Sequence, residues 1–310
     1  MPLYSKRKNV TSARMPRLNL SPIYIRPNNF ADYLSHQQNY YLFLDIDGTL
    51  ADFTLNPKDS VIPDATLTLL QKIQSHGVKI AAITGRSLIE AKQMLFPMTL
   101  PIAATHGLEI AFDDETDNDG ITIDITELST IRQAIIDSCT PYSDFIIETK
   151  PYSVALHYRQ NPTLADVADS IVSTVLDSHA DWTVKLGKYV FEIVPKGINK
   201  GAAILSLLEK MQTSETSCAI FIGDDVTDEA GFIAIQEGDG AIENAFSPTT
   251  SMGIKVGTEP TCAHYYVNDI SEVTVLLQSF LSFCQKHGSR SVNSVDSNPL
   301  SSKKVTRPII

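Results

Sequence analysis

The apolar run Tyr40-Tyr41-Leu42-Phe43-Leu44 stops abruptly at Asp45-Ile46-Asp47-Gly48-Thr49, which constrains the fold more than any other stretch of the chain. A run of this length reads as a buried strand, and it delivers two carboxylates, two residues apart, to its carboxyl end. In an open α/β sheet, ligands bind beyond the carboxyl ends of the strands, so Asp45 and Asp47 stand where chemistry is expected. The Asp, Gly and Thr that break the strand favour a turn with spare backbone N–H groups. Such amides can hold an anion while the carboxylates hold a divalent cation, a combination suited to phosphate chemistry assisted by magnesium. Taken alone, the segment is also compatible with an ordinary strand-ending turn.

Strand and helix signals alternate from Tyr40 onward. Leu67, Leu70 and Ile73 lie at helical spacing between Asp64 and His76, with Gly77 as a stop. Val78 to Ile83 has strand length and leads into Thr84-Gly85-Arg86, after which Ser87 and Glu90 form a capping-box pattern. Pro101 to Ala104 is a third short strand. This repetition predicts a parallel sheet with helices on both faces. Between about Leu108 and Pro195 the rhythm changes. Ser153 to Tyr158 and Tyr189 to Val194 show partial β alternation, and helical patterns span Glu127 to Cys139 and Thr163 to His179. A partly antiparallel α+β unit is therefore expected to interrupt the α/β chain, which resumes with a helix over Asn199 to Lys210 and a strand over Cys218 to Ile222. The expected organisation is a flexible extension over 1–38, a core built from 39–107 and 196–285, an inserted unit over 108–195, and a flexible tail over 286–310. An inserted unit over a sheet edge can act as a lid that excludes water and selects substrate.

The net charge of −11 argues against general nucleic-acid binding, which needs a basic face. Cys139, Cys218, Cys262 and Cys284 are far apart and lack metal-ligand spacing, so they read as buried thiols in a reducing, cytoplasmic compartment. No apolar run approaches the roughly 18 residues that would suggest a membrane span. Lys6, Arg7, Lys8, Arg14, Arg17 and Arg26 make the first segment basic, and without an apolar centre it reads as a flexible arm. The acidic run from Asp113 to Gly120 reads as a solvated hairpin turn, because the twelfth position of a calcium loop starting at Glu115 is Thr126 where Glu is required.

A second acidic loop, Gly223-Asp224-Asp225-Val226-Thr227-Asp228-Glu229, follows the apolar strand Ala219-Ile220-Phe221-Ile222. Two such loops on parallel strands lie at one sheet edge, so carboxylates distant in sequence converge, and a hard cation allows them to coexist. Thr84 ends another strand, and Lys200 in Asn199-Lys200-Gly201 opens a helix near whose N-terminus anions are favoured. Singly, Thr84 also fits a turn residue and Lys200 a surface charge; their order with both acidic loops carries the weight.

The motifs DIDGT at Asp45, ITGR at Thr84, NKG at Lys200 and GDDVTDE at Asp224 resemble, in order, those of the haloacid dehalogenase superfamily of phosphotransferases. The inserted unit lies where that superfamily's C2-type caps lie. LDIDGTL, ITGR, THGLE, ALHYR, GKYVFEIVPKGINKG and GDDVTDE further resemble trehalose-6-phosphate phosphatases over roughly residues 40–285. The resemblance implies a Rossmann-like α/β core with an α+β cap, magnesium as cofactor, and hydrolysis of trehalose 6-phosphate, and it leaves open a functional coupling to a trehalose-6-phosphate synthase. It makes Asp45 the nucleophile and Asp47 the acid–base residue, with Thr84 and Lys200 neutralising phosphoryl oxygens. Asp45, Asp47 and Asp224 are the implied metal set, with Asp225 and Asp228 as direct or water-mediated additions. Substrate contacts are implied for Ile46, Arg86, His106, Glu109, Lys150, His157, Arg159, Lys188 and Glu192, alongside Asp45, Asp47, Thr84 and Lys200. From alternation alone, His157 and Arg159 fit equally well on the solvent side of a strand, and Lys188 with Glu192 fits a surface ion pair. The motifs leave open another sugar phosphate, such as sucrose 6-phosphate or mannosylglycerate phosphate, a phosphomutase reaction, and a non-catalytic sensor.

Overall fold

A computed structural model describes residues 22–34, 37, 39–54, 56–112, 115–117, 123–211, 217–237 and 251–288. The chain is α/β, and the described residues form two sheets. To the larger, the first half contributes β1 (Ile23–Tyr24), β2 (Asn39–Leu44), β3 (Lys79–Ile83), β4 (Ile102–Ala104), β5 (Glu109–Phe112) and β6 (Glu115–Asp117). The smaller consists of β7 (Ile146–Lys150), β8 (Ser153–His157), β9 (Trp182–Gly187) and β10 (Val190–Pro195). The chain then returns to the larger sheet with β11 (Ser217–Gly223), β12 (Met252–Val256) and β13 (Tyr265–Val267). Its strand order is β1-β13-β12-β11-β2-β3-β4-β5-β6, parallel from β1 to β4 and antiparallel beyond.

The unbroken apolar run of β2 follows from its central place. Leu42 and Leu44 pack into one hydrophobic cluster with residues of α1 (Asp64–Ser75), α2 (Leu88–Leu95) and, from the far end of the chain, the helix Ile270–Gly288. Tyr41 and Phe43 pack into the opposite cluster, with residues of the helices Lys200–Lys210 and Glu229–Glu237. Successive strand residues point to opposite faces, so both must be apolar when helices cover both. The Ser87–Glu90 capping box expected at the start of α2 is present.

In the smaller sheet every pairing is antiparallel, in the order β7-β8-β10-β9. One face is covered by α3 (Ile125–Cys139) and α4 (Ala165–Leu176), which bury Val154, Leu156 and Ile193 among Leu128, Ile131 and Val172. By alternation, Ala155, His157 and Glu192 point the other way, toward the core. The remaining helices are α5 (Lys200–Lys210), α6 (Glu229–Glu237) and α7 (Ile270–Gly288).

Three boundaries differ from the sequence expectation. β5 and β6 extend the core sheet, so residues 109–112 and 115–117 belong with the core and the inserted α+β unit begins after them. Their antiparallel turn off β4 carries none of the helix-alternating rhythm by which core strands were recognised. Within 1–38, β1 pairs with β13, and Ile25 and Phe30 are fully buried, Phe30 edge-on to Phe280 of α7. Polar and basic neighbours mask these few apolar anchors in the sequence. At the other end α7 continues to Gly288; residues 1–21 and 289–310 lie outside the described residues. So does most of the acidic run 113–120, of which only Glu115–Asp117 is placed, as β6. All four cysteines are buried and free of disulfides. Among the described residues no helix is long and apolar enough to cross a membrane.

Candidate active site

Parallel register aligns the ends of β2, β3 and β11: Leu44 stands beside both Ala82 and Ile222. The residues just beyond, Asp45, Thr84 and Asp224, therefore share one edge, and the Asp45 N–H donates to the Ile222 carbonyl at 3.0 Å. Gly48 allows the close approach of the two acidic loops. Its φ of +84° lies in the left-handed region, and a Cβ there would stand 2.1 Å from an Asp224 carboxylate oxygen.

Lys200 opens α5, with Asn199 capping the helix by accepting from the Ala202 N–H. The Lys200 ammonium donates at 2.7 Å to both Asp45 Oδ1 and Asp228 Oδ1, and all three groups are buried. Carboxylate oxygens of Asp45, Asp224 and Asp228 lie within 4.8 Å of one another. Burial, reinforced by Asp228 and Asp224, holds Asp45 well above the usual carboxylate range despite Lys200. Burial, with Asp228 and Asp225, pushes Asp224 up to about 7. Burial acts against the Lys200 charge, but Asp228 and Asp45 together hold its pKa above the ordinary lysine value. One lysine does not neutralise this group. An all-oxygen, net-negative cluster of hard donors is the environment Mg²⁺ prefers, so these residues fit the ion. Lys255 of β12, buried and absent from the sequence expectation, donates its ammonium hydrogen to the Asp224 carbonyl.

Two further acids of these motifs, Asp47 and Asp225, are turned elsewhere. Asp47 is held bidentately by Arg86, with Nε and Nη2 each donating at 2.6 Å, and accepts from the Ser60 hydroxyl at 3.2 Å. Its carboxylate faces the cleft beside the cluster. Asp225, expected near the metal set, is outside the cluster: it caps the turn before α6 through the Val226 N–H and accepts the Lys188 N–H at 3.1 Å.

The polar face of the inserted unit closes over this edge, and both sides line one cleft of about 820 Å³ including its open mouth. Glu192, 5 % exposed, is the hub of the far side. It accepts from Lys150 Nζ at 3.0 Å through both oxygens and from Ser153 Oγ at 2.6 Å, and it lies 3.1 Å from His106 Nε2. Burial opposes its charge, yet Lys150 and His106 hold it well below the usual carboxylate range. Burial keeps the His106 pKa below the ordinary imidazole value in spite of Glu192. Beside this hub, His157 Nε2 and Glu148 Oε2 are 2.8 Å apart, and Arg159 lies 3.2 Å from His157 Nδ1. His157 and Arg159 are thus buried cleft residues, not the solvent side of a strand. Lys188 does not pair with Glu192; its ammonium rests 5.2 Å from the centre of the Phe53 ring.

Several of these contacts join the two units. Lys150 donates to the Gly85 carbonyl at 2.5 Å and Arg159 to the Thr54 carbonyl at 2.7 Å. Phe53 takes the Arg159 guanidinium 4.4 Å from its ring centre and lies 6.4 Å from the Tyr189 ring. Thr105 and His106 both adopt left-handed backbone, with φ of 46° and 59°. Strain of this kind costs about 1–3 kcal/mol per residue and persists only where neighbours fix it. Here the His106 and Thr105 N–H groups donate to the Thr84 and Arg86 carbonyls, and Thr105 Oγ1 donates to Glu109 at 3.1 Å. The result swings the His106 ring into the cleft across Gly85, where a Cβ would stand 2.7 Å from the ring.

Of the expected substrate residues, Ile46 and Glu109 do not line the cleft. The Ile46 side chain is buried in the hydrophobic cluster, and Glu109 supports Thr105 from behind. Sequence reasoning missed Phe53, Glu148, Ser153, Lys185 and Lys255. Glu148 has a readable signal, since it stands two residues before Lys150 on the same strand face; Phe53 and Lys255 have none in local patterning.

A family model described as trehalose-phosphatase matches residues 43–271. The chain is 30% identical over 255 residues to the trehalose-6-phosphate phosphatase of Escherichia coli (strain K12), covering 80% of this chain and 88% of that protein. It is 34% identical over 199 residues to a probable trehalose-phosphate phosphatase of Sinorhizobium fredii, covering 63% and 73% of the two chains. In fold it is similar to the C-terminal domain of the C. albicans trehalose-6-phosphate phosphatase, with a TM-score of 0.74 at 20% identity over 85% of this chain and 99% of that one.

Proposed function

The chain belongs to the trehalose-phosphatase family, and from that premise we propose that it hydrolyses trehalose 6-phosphate to trehalose and inorganic phosphate. The observation that carries this reading is the convergence of Asp45, Lys200, Asp224 and Asp228 at one sheet edge, facing the cap's polar residues across one cleft.

Asp45 attacks phosphorus through one carboxylate oxygen, and the bond from phosphorus to the sugar oxygen breaks, leaving an aspartyl-phosphate. Asp47 gives its proton to the departing sugar oxygen. It then takes a proton from the water that attacks phosphorus, and phosphate leaves as the bond to Asp45 breaks. Arg86 and Ser60 fix the Asp47 carboxylate for both transfers. Thr84 and Lys200 stabilise charge on the phosphoryl oxygens, Lys200 from a position already set by two carboxylates. Mg²⁺ would be held by Asp45, Asp224 and Asp228, with Asp47 joining through its backbone as the family resemblance implies, and it supplies charge neutralisation at the phosphoryl group. On the cap side, Lys150, His157, Arg159, Lys188 and Glu192 orient sugar hydroxyls, with Glu148 sharing that role through His157 and His106 reaching across from the core. Closure by the cap excludes water until the sugar has left. We place this activity in the cytoplasm, in keeping with four buried thiols, acting on substrate made by a trehalose-6-phosphate synthase.

The test is phosphate release in Mg²⁺, with and without chelator, from trehalose 6-phosphate, sucrose 6-phosphate, glucose 6-phosphate and glucose 1-phosphate. A strong preference for the first, lost on chelation, is expected. Preference for another ester would keep the catalytic core and replace the sugar; phosphate retained on a sugar would make the enzyme a mutase, and binding without turnover would make it a sensor.

A further inference from the structure

Most cations that line the cleft are engaged. Arg86 binds Asp47, Lys150 binds Glu192, Lys200 binds Asp45 and Asp228, Arg159 binds the Thr54 carbonyl, and Lys188 lies on Phe53. Lys185 differs from all of them. It lines the same cleft, is half-buried, and among the described residues has no ion pair, hydrogen bond or ring contact for its ammonium group.

Its position follows from the register of the cap sheet. Glu148 stands opposite Ala155, Ala155 opposite Glu192, and Glu192 opposite Lys185, giving one row across four strands. All four residues line the cleft. Glu192 is the natural partner for Lys185, but its oxygens already serve Lys150, Ser153 and His106. Ala155 contributes only a methyl group to the row, so the floor between Glu148 and Glu192 is low. A ligand seated over Ala155 would have the Lys185 ammonium group beyond Glu192, at the end of the row. Burial lowers the Lys185 pKa with no compensating carboxylate, which sets it apart from the acid cluster around Asp45. A half-buried cation left without a partner carries an energetic penalty that a bound hydroxyl oxygen relieves.

We propose that Lys185 is a specificity-determining residue that donates hydrogen bonds to hydroxyl oxygens on the sugar ring farther from the phosphoryl group. This assignment rests on the phosphatase reading above and names the contact that distinguishes a disaccharide phosphate from a smaller ester.

Steady-state kinetics of the wild-type chain and Lys185→Met, with trehalose 6-phosphate and with p-nitrophenyl phosphate, test it. The selectivity, the kcat/KM for trehalose 6-phosphate divided by that for p-nitrophenyl phosphate, is expected to fall about tenfold, through KM more than kcat. Lys185→Arg, which keeps the charge and donors, is expected to recover most of the loss. The inhibition constant of trehalose should rise in Lys185→Met by a similar factor, while that of inorganic phosphate moves less. An equal fall with both esters would assign Lys185 to general folding or to the phosphate end and overturn the proposal, as would unchanged selectivity. A wild-type chain active on p-nitrophenyl phosphate but inert toward trehalose 6-phosphate would instead overturn the substrate reading, and this assignment with it.

Discussion

The two walls of the cleft treat their buried charges in opposite ways. On the core wall, Asp45, Asp224 and Asp228 crowd together with Lys200 as their shared cation, and burial and mutual repulsion hold Asp45 and Asp224 above the ordinary carboxylate range. On the cap wall, Glu192 is saturated by Lys150, Ser153 and His106, and Glu148 is paired with His157. The two carboxylates there are held below the ordinary range, because partners outweigh burial. The core thus keeps negative charge that a divalent cation can balance. The cap keeps a preformed polar network that needs no ion and presents its surface to a sugar. Reactivity calls for unbalanced charge, whereas recognition calls for fixed geometry.

The sharpest way to break this comparison is at the nucleophile. Asp45→Asn should lower kcat for trehalose 6-phosphate by at least about a thousandfold while the chain remains folded by circular dichroism. Appreciable turnover by that variant would remove Asp45 from its role. Next in size, Mg²⁺ at a hundredfold excess over its dissociation constant should stabilise the wild type against denaturant by about 2.7 kcal/mol. Asp224→Asn should lose most of that response and Glu192→Gln should keep it; an equal loss in both would erase the distinction between the walls.

The cap network is tested by stability. Glu192→Gln leaves the Lys150 charge without its partner, and a cost of about 3 kcal/mol is expected in urea unfolding at neutral pH. The pH dependence has a defined sign. The folded pKa of Glu192 lies below its ordinary 4.5, so its contribution is fully present above about pH 4.5 and is lost as pH falls toward the depressed value. Glu192→Gln should therefore show a shallower loss of stability below pH 4.5 than the wild type; parallel curves would contradict the pairing. The smallest effect belongs to the contact between the walls. Phe53→Ala removes the ring beneath Arg159 and Lys188, and a several-fold rise in KM with little change in kcat is expected. An unchanged KM would show that this contact does not shape the cleft.

The core wall of the cleft was legible in the sequence because local rules place it. Apolar strands ending in Asp45, Thr84 and Asp224 must, if parallel, present those residues together, and the helix start at Asn199 puts Lys200 at the same edge. The cap half was legible only as a set of residue types. Lys188 and Glu192 were four residues apart and plausibly paired, yet the antiparallel register sets Lys185 opposite Glu192, while Lys150 from another strand takes the ion pair. Asp225 was expected as a direct or water-mediated addition to the metal set; the approach of the hairpin at Lys188 and the turn at Val226 claim its carboxylate.

The sequence by itself therefore determined the α/β core, the presence of an α+β unit interrupting it and the acids at the strand ends, because strand and helix periodicity and turn chemistry act over a few residues. Tertiary structure alone decided which charges pair, that Glu109 supports Thr105 and does not line the cleft, that residues 22–34 pack on α7, and that Lys185 has no partner among the described residues. Those outcomes depend on strand register and on the docking of one unit against another, and a slip of one residue in register would turn every side chain of a strand to the opposite face.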